Sequence, residues 1–417
     1  MLIERPRYLT RLVEGMGSHQ VKVVTGVRRC GKSFLLFTLF KEHLLAQGVT
    51  EDHIVEMAFD RFSNRRYRDA EIFYQYAMER IGPSGTYYVL LDEVQLLDHF
   101  AEILIDLACR ENVDVFVTGS NAHLLSRDVV TEFRGRADEI HMAPLSFSEF
   151  MSAYEGDRRD GYLSYITYGG MPALFERKST DAKVSYLKGL FDELYIRDIV
   201  DRNNIHNSGN LEDLLNVLAS GIGSLTNPRR LSDTFKTEKH VTVAPETIEH
   251  YISHLEDAFL ISRARRYDVK GRRYISTPMK YYFSDLGLRN ARLNFRQFEE
   301  THLMENVIFN ELQSRGYGVD VGVVSFTVRD GEGRQKRVQT EVDFVCNKGS
   351  QRCYVQSAYA LPNAEKREQE ERPLTRIDDS FKKIIIVKEG VEPHYNERGF
   401  LMMNIYDFLL DPDSLSF

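Results

Sequence analysis

The chain has 417 residues, 42% of them hydrophobic, and its 54 basic and 62 acidic residues give a formal net charge of −8. This length predicts two to four globular domains, and the acidic balance excludes a general nucleic-acid coat while allowing a local basic patch. The start, MLIERPRYLT, has no apolar signal core, no apolar run reaches the roughly 18 residues of a membrane span, and the four cysteines form no CxxC pair. We therefore expect a cytoplasmic protein with reduced thiols and no membrane partner.

The first motif along the chain is a phosphate-binding loop. An apolar strand at 21–25 runs into GVRRCGKS (26–33) and then into an apolar helix, which is the context this motif requires. Its glycines let backbone N–H groups point at phosphates, and the helix N-terminus adds partial positive charge. We expect Lys32 to reach the β- and γ-phosphates of ATP and Ser33 to bind Mg²⁺. The predicted nucleotide-binding residues are Gly26, Val27, Arg28, Arg29, Cys30, Gly31, Lys32, Ser33 and Phe34.

Two acidic residues follow the next strong strand signal. In TYYVLLDEVQLL the apolar run 87–91 ends at Asp92 and Glu93. Asp92 is expected to hold the Mg²⁺ shell, directly or through water, and Glu93 to polarise the water that attacks ATP. A merely solvated strand end is the alternative, which the upstream phosphate loop disfavours.

Further candidate catalytic residues follow a third strand at 113–118. Asn121, in the turn after this strand, is the candidate for contact with the γ-phosphate and the lytic water, although asparagine is also an ordinary turn residue. The segment EFRGRADEI carries Arg134 and Arg136, and such an arginine can stabilise the transition state on a neighbouring subunit. We favour Arg136 for this role, which would require a homo-oligomer. A surface ion pair is the alternative.

The middle of the chain predicts helices followed by a winged helix-turn-helix. Apolar residues at helical spacing occupy 184–199, a further helix opens at Pro245, and a two-stranded wing is expected to follow. From 261 to 276 there are six Arg or Lys residues against one acid, Asp268. This local charge reversal predicts contact with DNA phosphates, with little sequence preference. The alternative is a packing module whose basic face pairs with acidic neighbours. The predicted DNA-binding residues are Arg265, Arg266, Arg272 and Arg273.

The last part of the chain reads as a helix, three or four strands, a helix and a strand. On the stretch EVDFVCNKGSQRCYVQSAYA, Asp343 and Gln356 lie on successive strands, which is how many metal-dependent nucleases hold Mg²⁺, and Glu305 on the preceding helix is a third candidate ligand. Ala358 stands where such a site has a lysine, and Lys366 is the nearest replacement. We therefore expect a nuclease-like fold that is not an efficient nuclease and whose relic site is used for binding, because this lysine supports charge in the transition state. A plain β-hairpin is the alternative.

Seven segments in this order make the chain resemble a known family: GVRRCGKS, LLDEVQ, TGSNAHLLS, FRGR, PLSFSEF, YGGMPALF and YIRDIVDR. It resembles the AAA+-type ATPases of bacteria and archaea that carry a C-terminal winged helix and a PD-(D/E)XK nuclease-like region. The resemblance implies ATP binding and hydrolysis by Lys32, Ser33, Asp92 and Glu93, and it implies no substrate.

The expected fold is α/β with four parts. These are a P-loop AAA+-type ATPase core at 1–155, a helical lid at 156–207, a winged helix-turn-helix at 208–285 and a PD-(D/E)XK nuclease-like domain at 286–417. The favoured function is ATP hydrolysis coupled to the binding of DNA or a protein partner. An ATP-regulated DNA nuclease and an ATP-holding scaffold with little turnover stay open, although Glu93 argues against the scaffold.

Overall fold

The computed structural model describes residues 2–119, 133, 135–329 and 334–416. They form two compact units, of which the first ends at Pro144 and the second begins at Leu145. Among the described residues, no helix combines the length and the apolar character that a membrane crossing requires.

The first unit is built on a five-stranded sheet with the order β2-β3-β4-β1-β5, in which every neighbouring pair is parallel. The strands are β1 (Val21–Gly26), β2 (Ile54–Ala58), β3 (Tyr87–Asp92), β4 (Val113–Thr118) and β5 (Ala137–Met142). All residues of β1, β3 and β4 are buried, as expected for parallel strands that are covered on both faces. The three strands predicted from the sequence are confirmed to within one residue.

Helices cover this sheet and contribute to its core. The described helices of the first unit are Pro6–Glu14, Lys32–Phe34, Leu35–Phe40 with π-type hydrogen bonding, Lys41–Ala46, Ala70–Arg80 and Phe100–Ala108, with short 3₁₀ turns at Glu51–His53, Phe62–Arg68 and Val94–Leu96. The three segments after the phosphate loop run on without a break, and Phe40 packs its ring 4.5 Å from that of Phe116 on β4. This contact fixes the helix whose N-terminus faces the loop.

The second unit begins with two helices that the sequence analysis assigned to different domains, the first to the ATPase core and the second to the lid. Phe147–Ala153 begins with a capping box, in which Ser146 and Glu149 satisfy each other's backbone N–H groups. Phe147 packs edge-on against Tyr162, with 5.7 Å between the ring centroids, on the next helix. The two compact units meet between Pro144 and Leu145, whereas the sequence analysis placed the end of the first domain at 155, a bound that stays a prediction. The division of the second unit into a lid, a winged helix and a nuclease-like domain stays a prediction.

The helices and strands of the second unit follow the expected order. The helices are Phe147–Ala153, Arg158–Tyr168, Thr180–Gly189, Leu190–Ile196, Arg197–Arg202, Ser208–Ser220, Pro228–Thr234, Phe235–Lys239, Pro245–Asp257, Leu286–Arg292, Glu300–Ser314, Ala364–Thr375 and Ile405–Leu410, with a 3₁₀ turn at Pro172–Glu176. The strands are β6 (Ile261–Asp268), β7 (Arg273–Phe283), β8 (Gly318–Arg329), β9 (Gln335–Lys348), β10 (Gln351–Ala358), β11 (Lys382–Val387), β12 (His394–Tyr395) and β13 (Leu401–Asn404).

These strands form one sheet of eight, in the order β12-β13-β11-β10-β9-β8-β6-β7. The pairs β8–β9 and β9–β10 are antiparallel, and β10–β11 is parallel. The helix Glu300–Ser314, these strands and the helix Ala364–Thr375 give the predicted order of elements. The two strands predicted as a wing form the antiparallel pair β6–β7, but β6 also pairs in parallel with β8, and the winged helix itself stays a prediction. The hairpin is thus continuous with the C-terminal sheet, a pairing that the sequence analysis did not anticipate.

Candidate active site

The phosphate loop lies at the carboxyl edge of the first sheet and is shaped by residues with positive φ. Gly26 has φ of +139°, and a Cβ there would lie 2.1 Å from the carbonyl oxygen of Met142 on β5, so no other residue fits. Arg29 and Gly31 have φ of +66° and +104°, and Gly31 is the residue before the first helical turn. The loop therefore curls around the helix N-terminus in the way that phosphate binding needs.

Lys32 is the buried cation of this loop, with a relative exposure of 5%. Its Nζ donates to the carbonyl oxygens of Gly26 at 2.9 Å and Val27 at 3.1 Å. Phosphate oxygens would replace two neutral acceptors with charged ones, which form stronger hydrogen bonds. The amine is thus already placed over the loop that would hold the phosphates.

Asp92 stands at the end of β3 and faces two hydroxyl groups. Ser33 Oγ donates to Asp92 Oδ1 at 3.0 Å, and Thr118 Oγ1, at the end of β4, donates to the same oxygen. Burial raises the pKa of Asp92, and the hydroxyl donors Thr118 and Ser33 oppose this shift. A carboxylate and a serine hydroxyl in contact are oxygen donors of the kind that Mg²⁺ prefers, so these residues fit the metal that usually accompanies ATP.

Glu93 follows in a left-handed conformation, with φ of +53°. Its backbone N–H donates to Thr118 Oγ1 at 3.3 Å, so Thr118 contacts both acidic positions. The Glu93 carboxylate accepts a hydrogen bond from the side-chain amide of Gln95. Sequence reasoning missed Thr118 and Gln95. The signal for Thr118 was available, since it is the last residue of a strand that ends at the same edge.

Arg5, which the sequence analysis also missed, donates hydrogen bonds to the backbone of the phosphate loop and of the segment after β5. This residue is 3% exposed; its Nη1 donates to the Cys30 carbonyl at 3.0 Å and its Nη2 to the Ala143 carbonyl at 2.7 Å. Its guanidinium also lies 4.7 Å from the centre of the Tyr8 ring. One side chain therefore ties the loop to the segment that follows β5.

Of the three remaining catalytic candidates, the structure describes Arg136. Asn121 and Arg134 lie outside the described residues. Arg136 is exposed and directly precedes β5, and its carbonyl accepts a hydrogen bond of 3.0 Å from the first N–H of β1, that of Val21. Because β1 and β5 are parallel, Arg136 lies at the edge of the sheet opposite to the phosphate loop. It cannot reach the nucleotide of its own chain, so a role toward another subunit and an ordinary surface position both stay open for it.

The basic segment 261–276 of the second unit, predicted to be a wing, is partly neutralised by acids, of which Glu249, Glu256 and Asp378 lie outside it and Asp268 lies within it. Arg263 bonds Glu256 and, at 2.8 Å, Glu249, so its charge is used inside the protein. Lys270 lies 3.8 Å from Asp378, and Arg273 lies 3.9 Å from Asp268 across the hairpin. The count of six to one in the sequence therefore overstates the charge that the wing presents.

The four predicted DNA-binding arginines nevertheless lie on or near the surface. Arg265, Arg272 and Arg273 are exposed, and Arg266 is half-buried. A groove beside the wing turn is lined by Arg273, by two further basic residues, Lys270 and Arg337, and by one acid, Asp268. Arg337 belongs to β9, so the basic surface extends from the wing onto the neighbouring hairpin.

Two of the three candidate metal ligands of the predicted nuclease-like region, Glu305 and Asp343, come together around a lysine, and Glu341 joins them. Lys280 on β7 places its Nζ 2.9 Å from Glu305 Oε1, 2.6 Å from Glu341 Oε1 and 4.0 Å from Asp343 Oδ1. Burial opposes protonation of Lys280, but Glu305, Asp343 and Glu341 outweigh it and raise the pKa of the amine. Burial also raises the pKa of Asp343. In the part of the chain that the structure describes, no three His, Cys, Asp or Glu side chains are arranged to hold a metal.

The other predicted members of this site are engaged with protein groups. Gln356 Oε1 accepts from the Asp343 N–H at 3.4 Å, and its Nε2 donates to Glu370 at 3.1 Å. Lys366 pairs with the other oxygen of Glu370 at 2.6 Å, so Glu370 stands between Lys366 and Gln356. The lysine beside the Asp343 carboxylate is Lys280, which the sequence analysis missed, and Ala358 is buried.

Comparison with known proteins agrees with the site of the first unit. Residues 18–151 match the model of a family described as an AAA domain, and residues 159–299 match a domain of unknown function (DUF8612). An uncharacterized protein of Haemophilus influenzae is 33% identical over 415 residues, which are 98% of this chain and 99% of that protein. An uncharacterized protein of Methanocaldococcus jannaschii is 25% identical over 93% of this chain and 85% of its own length.

Solved structures add little to this. The Aeropyrum pernix ORC1 protein in complex with DNA covers 70% of this chain and 93% of its own, with 14% identity and a TM-score of 0.30. A Thermotoga maritima protein related to the DNA polymerase III gamma subunit covers 60% of this chain and 92% of its own, with 11% identity and a TM-score of 0.27. Scores this low carry no argument about function.

The parallel sheet, the phosphate loop, the acidic strand end and the AAA-domain match identify residues 18–151 as an AAA-type domain with a P-loop. Within this class, the chain belongs to the family of the uncharacterized Haemophilus influenzae protein, since the two align over nearly their whole lengths.

Proposed function

We propose that this protein hydrolyses ATP with Mg²⁺ and couples the nucleotide state to the binding of DNA, through the basic wing, or of a protein partner. The observation that carries the proposal is the joint placement of Lys32, Ser33, Asp92 and Glu93 at one edge of the first sheet. A nuclease-like domain that does not cleave DNA completes the proposal.

Each residue of the nucleotide site has a separate task. The loop N–H groups and Lys32 bind the phosphates, and Ser33 and Asp92 supply oxygen ligands to the metal. Mg²⁺, when bound with ATP, neutralises charge on the β- and γ-phosphates. Glu93 accepts the hydrogen bond of the attacking water and orients it, while Gln95 donates to one of its two carboxylate oxygens.

ATP binding and turnover measured on three variants test this assignment. Lys32→Ala should abolish ATP binding, and Glu93→Gln should retain binding but lose turnover by roughly 10²- to 10⁴-fold, which is the usual contribution of a positioned general base. Glu102→Gln is the matched control, since that side chain is 78% exposed on the same unit. Turnover of Glu93→Gln at the wild-type rate would show that another group polarises the water. Binding without turnover in the wild type would favour the scaffold.

DNA binding is tested by its dependence on salt. Replacing Arg265, Arg266, Arg272 and Arg273 by Ala should weaken binding to any sequence, and it should flatten the salt slope by about 0.9 for each lost phosphate contact. The control replaces four other exposed arginines of the same unit, which are Arg159, Arg197, Arg367 and Arg372. An unchanged slope in the wing variant would move the DNA contact elsewhere. ATP turnover measured with and without DNA then reports whether the two activities are coupled.

The alternative of an ATP-regulated nuclease is tested with supercoiled, linear and single-stranded DNA in Mg²⁺ and Mn²⁺, with and without ATP. We expect no cleavage, because Gln356 and Ala358 replace a carboxylate and a lysine of such sites. Cleavage that is lost in Asp343→Ala would make the protein a nuclease. Lys366→Ala in the same assay reports whether that lysine takes part.

A further inference from the structure

Lys280 lies inside the carboxylate cluster of the second unit and has no counterpart in the predicted metal site. Lys280 lies on β7. Tyr282, two residues further along the same strand, points to the same side, and its hydroxyl donates to Glu305 Oε1 at 2.6 Å. The Lys280 side chain is 6% exposed, and those of Glu305 and Asp343 are 10% and 13% exposed. Buried charges of this kind persist only when they are paired.

The carboxylates around Lys280 already have protein partners. Glu305 Oε1 accepts hydrogen bonds from both Lys280 and Tyr282, and Asp343 Oδ2 accepts one of 2.8 Å from the Ser357 N–H. Glu341 pairs with Lys280 at 2.6 Å. A divalent ion that joined Glu305 to Glu341 would need the place between them, where the ammonium lies. The ion and the ammonium therefore exclude each other.

We propose that Lys280 is the resident cation of this cluster: its ammonium takes the place of a divalent metal and keeps the nuclease-like domain free of metal. This inference deepens the proposal that the domain does not cleave DNA, and it is independent of ATP hydrolysis. Its consequence is that removal of the amine lets Glu305, Glu341 and Asp343, which are not arranged to hold a metal while Lys280 lies between them, close around a hard divalent cation.

Three substitutions in the full chain, free of nucleotide, test the inference by titration calorimetry with Mn²⁺. Lys280→Ala should gain one Mn²⁺ site that the wild type lacks, and Lys280→Ala with Asp343→Asn should lose it again. Even an ammonium displaced to about 4 Å from a dication would repel it by an energy that corresponds to a tenfold or larger change in affinity, so removal of the amine should change the affinity by at least this factor. Lys388→Ala is the matched control, because Lys388 pairs with Glu300 in the same unit and that carboxylate is 34% exposed. This control should gain no site.

Thermal unfolding gives a second readout. Lys280→Ala leaves uncompensated carboxylates in a buried cluster, so its Tm should fall, and millimolar Mn²⁺ should restore part of the loss. The Tm of the wild type should not respond to Mn²⁺ in a way that depends on Asp343. A Lys280→Ala protein that folds only with Mn²⁺ would support the inference.

Two results would overturn it. One is a wild-type Mn²⁺ site that disappears in Asp343→Asn, which would mean that the ammonium and the metal coexist. The other is a folded Lys280→Ala protein with no new site. If Lys280→Ala is unfolded under all conditions, the wild-type titration alone decides between support and refutation. DNA nicking by the wild type would refute the proposed inactivity instead, so the two failures are distinguishable.

Discussion

Replacing Arg5 by lysine should weaken ATP binding, although Arg5 is not one of the predicted nucleotide-binding residues. The arginine donates to the carbonyls of Cys30, at 3.0 Å, and Ala143, at 2.7 Å, and Cys30 is part of the phosphate loop. A lysine retains the charge but not the planar fork, so it cannot hold both carbonyls in the same geometry. The substitution thus tests geometry at constant charge.

The magnitude follows from the bonds that are lost. A hydrogen bond from a charged donor contributes about 1.5–3 kcal/mol, and Arg5→Lys removes at least one such bond at a site that is 3% exposed. If the whole of this free energy is lost from the loop conformation that binds ATP, the affinity for ATP decreases by roughly 10- to 150-fold. Each 1.4 kcal/mol corresponds to about a tenfold change. Any part of the loss that falls on global stability reduces this figure.

Equilibrium binding of a fluorescent ATP analogue measures the effect, with circular dichroism to confirm that the variant is folded. Arg80→Lys is the matched control, since Arg80 is exposed at the end of the helix Ala70–Arg80 in the same unit. A folded Arg5→Lys protein that binds the analogue with the wild-type Kd would show that the loop keeps its shape without the hydrogen bonds of Arg5, and the reasoning would be wrong.

Three further predictions concern assembly, pH and the core. Mixing Arg136→Ala with Lys32→Ala protein should restore part of the ATP turnover if Arg136 acts on a neighbouring subunit; absence of rescue in mixed oligomers shown to form would count against this. Burial raises the pKa of Asp285 to about 6, so its stabilising contribution is complete below its unfolded pKa of about 3.9 and is lost as the pH rises through 6. The free energy of unfolding of the wild type relative to Asp285→Asn should therefore fall by about 2 kcal/mol between pH 4 and pH 7, measured by urea titration, and a flat difference would refute it. Asp114→Ala should cost about 3–5 kcal/mol because it leaves Lys22 buried and unpaired, whereas joining it to Lys22→Met should recover most of the loss in the same titration; no recovery would contradict this.

Local motifs made the nucleotide site predictable from the sequence. The loop 26–33 contains its own glycines, lysine and serine, so its chemistry can be read without knowledge of the fold. Asp92 and Glu93 followed from a buried strand end, because the carboxyl ends of parallel strands share one edge. Thr118 lies at that same edge, and the argument that found Asp92 would also have found it.

Side chains that act across long stretches of sequence were not predictable in this way. Arg5 meets Ala143 only because the segments before β1 and after β5 come together in the first unit. The charge of the wing was estimated by counting basic and acidic residues within 261–276 alone. Arg263, however, pairs with Glu249 and Glu256, which lie outside that segment on the preceding helix. Lys280 offered one signal, a lone lysine in the apolar strand segment MKYYF, but its partners lie on another helix and another strand.

A comparison of two buried lysines, Lys32 and Lys280, shows why one site suits a ligand and the other does not. Lys32 is held by two neutral carbonyls, and phosphate oxygens can exchange for them with a gain, because charged acceptors form stronger hydrogen bonds. Lys280 is held by carboxylates, so an incoming ligand that drew the amine away would leave buried negative charge without a partner. The ammonium of Lys32 can therefore exchange its partners for those of a ligand, whereas the ammonium of Lys280 is held in place. Ligand-dependent change in this protein is accordingly expected to begin at the phosphate loop, while the carboxylate cluster keeps β7 and the helix Glu300–Ser314 together.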